Sequence, residues 1–310
     1  MSEGYVLVIG SAGIDVKGRP THELAWEVPN LGKVRNSVGG IARNIAENLA
    51  RLEVETVLLT AVGRDTAGRR VLRKSSEAGV DTSHVRVVPQ ARTGTYLALL
   101  KPAGDLLVAI SDFEVIELVD SDYLMGHETL FAEASMIVID ATLSPAALET
   151  VFELAERYGV RVCADPTTPA FAGRLCSHIS QIYMICPNAA ETTALCGLAD
   201  PAHDHDTAIN MARHLVALGV QIAVVTLGEK GLAYADGSGG GFIGSISTRV
   251  VDPTGAGDAF TAAVIFGLLN EVAVDEAMRL GVTAASLTLQ SRHTVLPTLS
   301  QEKLYDQLRV

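Results

Sequence analysis

Short apolar runs recur along the chain with helix-patterned stretches between them, and that alternation admits few folds. The runs are Val6–Gly10, Thr56–Val62, Met136–Asp140, Val160–Asp165, Ile182–Cys186 and Ile222–Gly228. Most lack the in/out alternation of a half-exposed strand, as expected of strands covered on both faces. Between them, Ile41, Ile45, Leu49 and Leu52 recur at helical spacing, so they line one face of a helix. A second helix is bounded by Ser144 as cap, Pro145 in its first turn and Gly159 at its end. Strand and helix in turn predict an α/β fold, with a mostly parallel central sheet and helices on both faces. Two stretches break the rhythm. Residues 17–38 are polar and turn-rich, and residues 84–112 read as successive strands with a turn near Pro102–Gly104. Together they predict a small β-sheet lid inserted in a single domain, 1–310. The glycines of 237–241 read as a hairpin turn.

Composition narrows the class of ligand. The 310 residues carry 24 Lys plus Arg against 36 Asp plus Glu, a net charge of −12, and 48% are hydrophobic. So apolar a chain is not disordered. The acidic balance argues against a nucleic acid polymer as partner, because no basic surplus exists to displace counterions. A small phosphate ligand needs only a local cradle and stays open. No run of 18 apolar residues occurs, so no membrane partner is expected. The N-terminal MSEGYVLVIGS reads as a first strand rather than a signal peptide. Cys163, Cys176, Cys186 and Cys196 form no C-x-x-C pair, and reduced, partly buried thiols in a cytoplasmic protein are expected.

The strongest motif is Asp252-Pro253-Thr254-Gly255-Ala256-Gly257-Asp258, followed by the helical AFTAAVIFGLL. Glycines ahead of a helix let a ligand approach its free N–H groups, where the dipole favours an anion. Asp258 beside such an anion suits a general base that deprotonates a hydroxyl attacking a phosphoryl group. The plainer alternative is a capped helix with glycines for turning. Gly39-Gly40-x-x-x-Asn44 also opens a helix and offers a donor and an acceptor one turn in, although paired glycines at helix starts are common. Asp15 follows the first strand at its carboxyl end, where it would accept from two sugar hydroxyls or serve as a turn residue. Asn188-x-x-Glu191 and Thr226-Leu227-Gly228 close two further strands. Glu191 is placed to hold Mg²⁺ through water, and an ordinary helix start explains the pair equally well.

Taken in order, these elements resemble the ribokinase-like (PfkB-type) carbohydrate and nucleoside kinases over almost the whole chain. The resemblance implies ATP as donor, Mg²⁺ and, in some members, K⁺ near the anion hole, here at the carbonyls of Asp252 and Thr254. It implies Asp258 as base and Gly255, Ala256 and Gly257 as anion hole. Asp15, Gly39, Gly40 and Asn44 then face the acceptor, while Asn188, Glu191, Thr226 and Gly228 face the nucleotide. Pro253 stands where a Thr is often seen, and Ala164-Asp165-Pro166-Thr167-Thr168 also departs from the usual pattern. The stretches GSAGIDVKG, LGKVRNSVGGIARNIAENLA and TYLALLKPAGDLLVAISDFEVIE look most like the pseudouridine-phosphorylating branch, with other nucleosides or free sugars as alternative acceptors. A homodimer through the lid is expected, since exposed strand edges attract partners.

The remaining features have plainer readings. His203-Asp204-His205-Asp206 reads as a solvated loop rather than a metal site, and the cysteines as buried. Trp26, Tyr96 and Phe113 are placed to stack on a base or to pack the lid. No Walker A sequence and no G-x-G-x-x-G after a strand occurs, which disfavours a P-loop ATPase and a dinucleotide oxidoreductase.

Overall fold

The computed structural model describes residues 4–197 and 201–308. Eight strands form the central sheet: β1 (Tyr5–Ile9), β4 (Thr56–Leu59), β9 (Ala134–Asp140), β10 (Val162–Asp165), β11 (Ile182–Ile185), β12 (Ile222–Thr226), β13 (Leu232–Asp236) and β14 (Gly239–Ile243). Their order is β14-β13-β12-β11-β10-β9-β1-β4, and only the pairings of β13 are antiparallel. The longer helices are α1 (Ile41–Arg51), α2 (Thr66–Glu77), α5 (Pro145–Tyr158), α7 (Ala189–Cys196), α8 (His205–Ala217), α9 (Ala256–Leu269) and α10 (Val274–Leu289). Four short ones complete the set: α3 (Ser121–Met125), α4 (Glu128–Glu133), α6 (Pro169–Ala172) and α11 (Gln301–Asp306).

The unbroken apolarity of the strands has the expected cause. Leu7, Ile9, Ile137 and Ile139 pack with Leu148 and Val151 of α5 and with α8. Their neighbours Val6, Val8, Met136 and Val138 turn the other way, onto α1 and α9. Each strand residue therefore buries its side chain on one face or the other. Ser144 accepts from the amide of Ala147 to cap α5, and Gly159 ends it in the left-handed region.

A separate four-stranded sheet, order β3-β2-β7-β8, is built from β2 (Gly13–Pro20), β3 (Gly32–Gly39), β7 (Gly94–Leu100) and β8 (Leu106–Asp112). Its pairings put Asp15, Lys17, Arg35, Tyr96 and Ala98 on one face. The other face carries Val34, Leu97, Val108 and Ile110, all solvent-exposed.

Three strand expectations need correction. Thr56–Val62 is not one strand: the chain leaves the central sheet at Thr60, and β5 (Ala61–Gly63) pairs with β6 (Arg86–Val88) in a two-stranded sheet of its own. Residues 86–88 therefore lie outside the four-stranded sheet. The glycine run is a turn only at Gly237–Ser238; Gly239, Gly240 and Gly241 are the first half of β14, paired to Tyr234–Asp236.

Candidate active site

The strand order reverses between β1 and β9, because the chain leaves β1 toward β4 and returns to β9 on the other side. Such a switch point opens a crevice at the strand carboxyl ends. Buried Asp140 closes β9 there. Its Oδ2 accepts from the Ser11 amide at 2.8 Å, the Ser11 hydroxyl at 2.7 Å and the Ala42 amide at 3.1 Å. The Ser11 hydroxyl in turn accepts from the Ile41 amide at 3.0 Å. Gly40, as N-cap of α1, has no side chain to satisfy these amides, so β1 and β9 supply the cap instead. That fixes the start of α1, and Asn44 follows one turn in.

Asn44 Nδ2 donates to Asp258 Oδ2 at 2.7 Å, joining two helices 214 residues apart. Its amide is oriented from behind, since Arg43 Nη1 donates to Asn44 Oδ1 at 2.8 Å. Buried Arg43 also pairs with Glu47, which holds Arg51 in turn. Burial pushes the Asp258 carboxyl up to about 7; the Asn44 hydrogen bond opposes this, Asp15 and Asp140 reinforce it, and Arg43 opposes it. Asp15, on β2, is pushed up to about 6 by burial, against the pull of Lys17 and Arg43. Gly39 makes room for it, because a Cβ there would overlap the Asp15 carboxylate.

Gly255 caps α9 with φ +83°, and a Cβ on it would run into the Thr294 carbonyl. The first intrahelical bond runs from Ala259 N to Gly255 O at 2.9 Å. The amides of Ala256, Gly257 and Asp258 precede it, and only that of Ala256 makes a long 3.4 Å bond, to Pro253 O. Ala256 and Gly257 line a cleft of about 700 Å³ together with Thr226, Gly228, Thr248 and Leu289.

Asn188 lines an adjoining recess with Thr226 and Gly228. It forms a full capping box with Glu191, each side chain accepting from the other's amide, at 3.0 and 2.9 Å. Glu191 thus caps the start of its own helix, and it lines neither cavity. Its proton affinity is nonetheless raised by burial, with the Asn188 hydrogen bonds opposing.

Sequence reasoning missed Asp165, at the carboxyl end of β10. Burial drives its carboxyl well above the ordinary value, and Asp258, Glu191 and Asp140 add to the effect. It also missed Asp140, Arg43 and Lys17. The available signal for the two aspartates was that two apolar runs each end in Asp.

Other expectations resolve simply. Asp204 caps α8 by accepting from the Thr207 amide, and His205 stacks on Phe242. Among the described residues no three metal-ligating side chains converge. The four cysteines are free, and Cys176 is exposed rather than buried, because it lies on the outer side of a 3₁₀ turn. Trp26 is 78% exposed, whereas the Phe113 ring lies against Gly13 and Gly94.

The profile of the pfkB family carbohydrate kinases matches residues 3–301. The chain belongs to this family. It is 33% identical to the pseudouridine kinase of Escherichia coli (strain K12) over 297 residues, 96% of this chain and 94% of that one. It is 30% identical to the guanosine-inosine kinase of Exiguobacterium acetylicum, covering 92% of this chain and 94% of the relative. The solved Arabidopsis thaliana ribokinase complexed with ribose and ATP shares the fold at TM-score 0.84, with 21% identity and 99% of each chain covered. This PfkB chain is therefore a kinase with the ribokinase-like fold.

Proposed function

We propose that this PfkB kinase transfers the γ-phosphoryl group of ATP to the 5′-hydroxyl of pseudouridine. The observation that carries the reading is a convergence. Asp15, Asn44 and Asp258, from three distant elements, meet at the switch point beside the amides that open α9. In the reading, Asp15 accepts from two ribose hydroxyls across Gly39 and Gly40. Asp258, with a proton affinity raised toward neutrality, takes the proton of the 5′-hydroxyl as its oxygen bonds to the γ-phosphorus. The bond to the bridging oxygen breaks and ADP leaves with its electron pair. The amides of Gly255, Ala256 and Gly257 face the transferred group's equatorial oxygens, and Asn44 holds the base in line. Thr226, Gly228 and Asn188 border the nucleotide's cleft.

Mg²⁺ keeps most of its water and takes only one or two carboxylates beside the phosphates, so it needs no three-residue cage. Asp165 and Glu191 fit that donor set: both carboxyls are raised by burial, and Glu191 adds to the cost of ionising Asp165. A cation would relieve that cost, and when bound it would neutralise charge on the phosphates.

The acceptor rests on the 33% identical pseudouridine kinase, which spans nearly the full length of both chains. The guanosine-inosine kinase, at 30%, supports a purine nucleoside as the second reading. The reading extends to a homodimer in which the exposed apolar face of the four-stranded sheet, the lid, meets a second copy. ADP release should be followed with pseudouridine, uridine, inosine, guanosine, adenosine, ribose and fructose. Pseudouridine is expected to give the highest kcat/KM, and turnover with a free sugar alone would overturn the assignment.

A further inference from the structure

One lid side chain reaches the loop that enters the anion hole. Strand alternation puts Lys17 on the same face of β2 as Asp15, about 7 Å along the strand. From there its ammonium lies 2.9 Å from both Asp252 carboxylate oxygens and 2.5 Å from the Thr254 hydroxyl. An ammonium has three donors, and all three are used. Asp252 Oδ1 also accepts from the Thr254 amide at 3.0 Å, so the same carboxylate ties the 252–254 turn on itself. The next residue is Gly255, whose left-handed backbone starts α9. Among the described residues, no other lid side chain hydrogen-bonds the 252–258 segment.

The contact is more than a surface pair. The side chains of Lys17 and Asp252 are 13% and 26% exposed and lie 235 residues apart in sequence. A long, flexible lysine is ordered here against three acceptors, in a partly desolvated cleft where removing one partner leaves the other unpaired. The charges around it are mixed. Asp15 and Asp252 repel, Arg43 of α1 attracts Asp15, and Lys17 attracts both carboxylates while bonding Asp252. Without its ammonium, closing the lid would bring two like charges together.

We propose that Lys17 is a positioning residue that latches the lid to the anion-hole loop, so that one contact sets Asp15 and the hole amides in register. The inference rests on the kinase reading and adds a residue to it. Acceptor capture by Asp15 and phosphoryl stabilisation by α9 are then coupled through the lid: Asp15 cannot move outward without Lys17 leaving Asp252.

The test is a double-mutant cycle with two readouts. K17M and D252N should each lower kcat/KM for the acceptor about tenfold while leaving the KM for ATP within about twofold, the size expected of a partly buried charge pair. The double variant should lose no more than either single variant, and K17R should recover most of the activity. Amide hydrogen exchange in residues 13–20 and 32–39 should quicken in all three variants and stay near wild type in K17R. Losses that multiply in the double variant, or exchange in the lid strands that does not change, would overturn the latch. Exchange needs no turnover, so it separates the two ideas. If the acceptor assignment failed, wild type would give no turnover with any nucleoside, yet the exchange difference would persist.

Discussion

Asp258 carries two consequences that pull in opposite directions. In the proposed role of base it must be ionised, and burial pushes its carboxyl up to about 7. The kcat/KM for the acceptor is therefore expected to fall about tenfold per pH unit below that value. Asn44 opposes the shift through its hydrogen bond, so Asn44→Leu should move the acid limb to higher pH, and an unmoved limb would contradict its role. Stability runs the other way. The folded-state value exceeds the ordinary 3.8, so the folded protein binds the proton more tightly, and stability is lost as pH rises from about 4 to about 7. Asp258→Asn removes that loss. It should abolish turnover yet raise the melting temperature at pH 8, by roughly 1–3 kcal/mol of stability with no gain near pH 4. A variant less stable than wild type at pH 8 would refute the electrostatic account. Asp258 was legible from its motif because every residue of the motif is adjacent in sequence. Asp140 and Arg43 were not, since each matters through partners that only folding supplies: Asp140 through Ser11 and Ala42, Arg43 through the orientation of Asn44.

At the level of elements, the start of α9 separates two uses of glycine. Gly255 has φ +83° and abuts the Thr294 carbonyl, so Gly255→Ala should cost about 1–3 kcal/mol of stability along with activity. Gly257 has an ordinary helical conformation and open space beyond its Cα. Alanine there is the better helix former, so Gly257→Ala should gain up to about 1 kcal/mol while lowering kcat, because the methyl group would stand where the proposed function puts the phosphoryl oxygens. Melting curves and kcat for the two variants check this, and full activity in Gly257→Ala would remove that residue from the hole. Helix starts and ends were readable because capping is local: Ser144, Gly159 and the Asn188–Glu191 box behave as their sequence positions imply. Strand pairing was less so. Nothing in Thr56–Val62 announces that the chain changes sheets at Thr60, because the residues are apolar on either side of that change. The stretch 17–38 looked merely polar because β2 and β3 alternate charged and apolar residues for two different faces.

For the whole molecule, the lid sheet divides its labour by face. Asp15, Lys17 and Tyr96 share the face that reaches the 252–254 turn through Lys17, while Val34, Leu97, Val108 and Ile110 share the exposed one. Ile110 is 64% and Val34 74% exposed, the kind of contiguous apolar face that marks an association surface. Val34→Lys with Ile110→Lys should convert the proposed dimer to a monomer in sedimentation velocity while leaving the melting temperature of the kinase body nearly unchanged. A wild-type chain already monomeric at micromolar concentration would refute the pairing. Because successive side chains in β2 alternate between these two environments, the strand reads in units of two. Deleting one residue between Gly13 and Asp15 would turn the carboxylate and the ammonium to the outer surface and carry Val16 into the cleft. Inserting two would restore the facing but carry Asp15 past its seat at Gly39. The loop 21–31, by contrast, carries no such phase. Length changes in this enzyme should therefore be accepted there in any number and refused in β2 at every number.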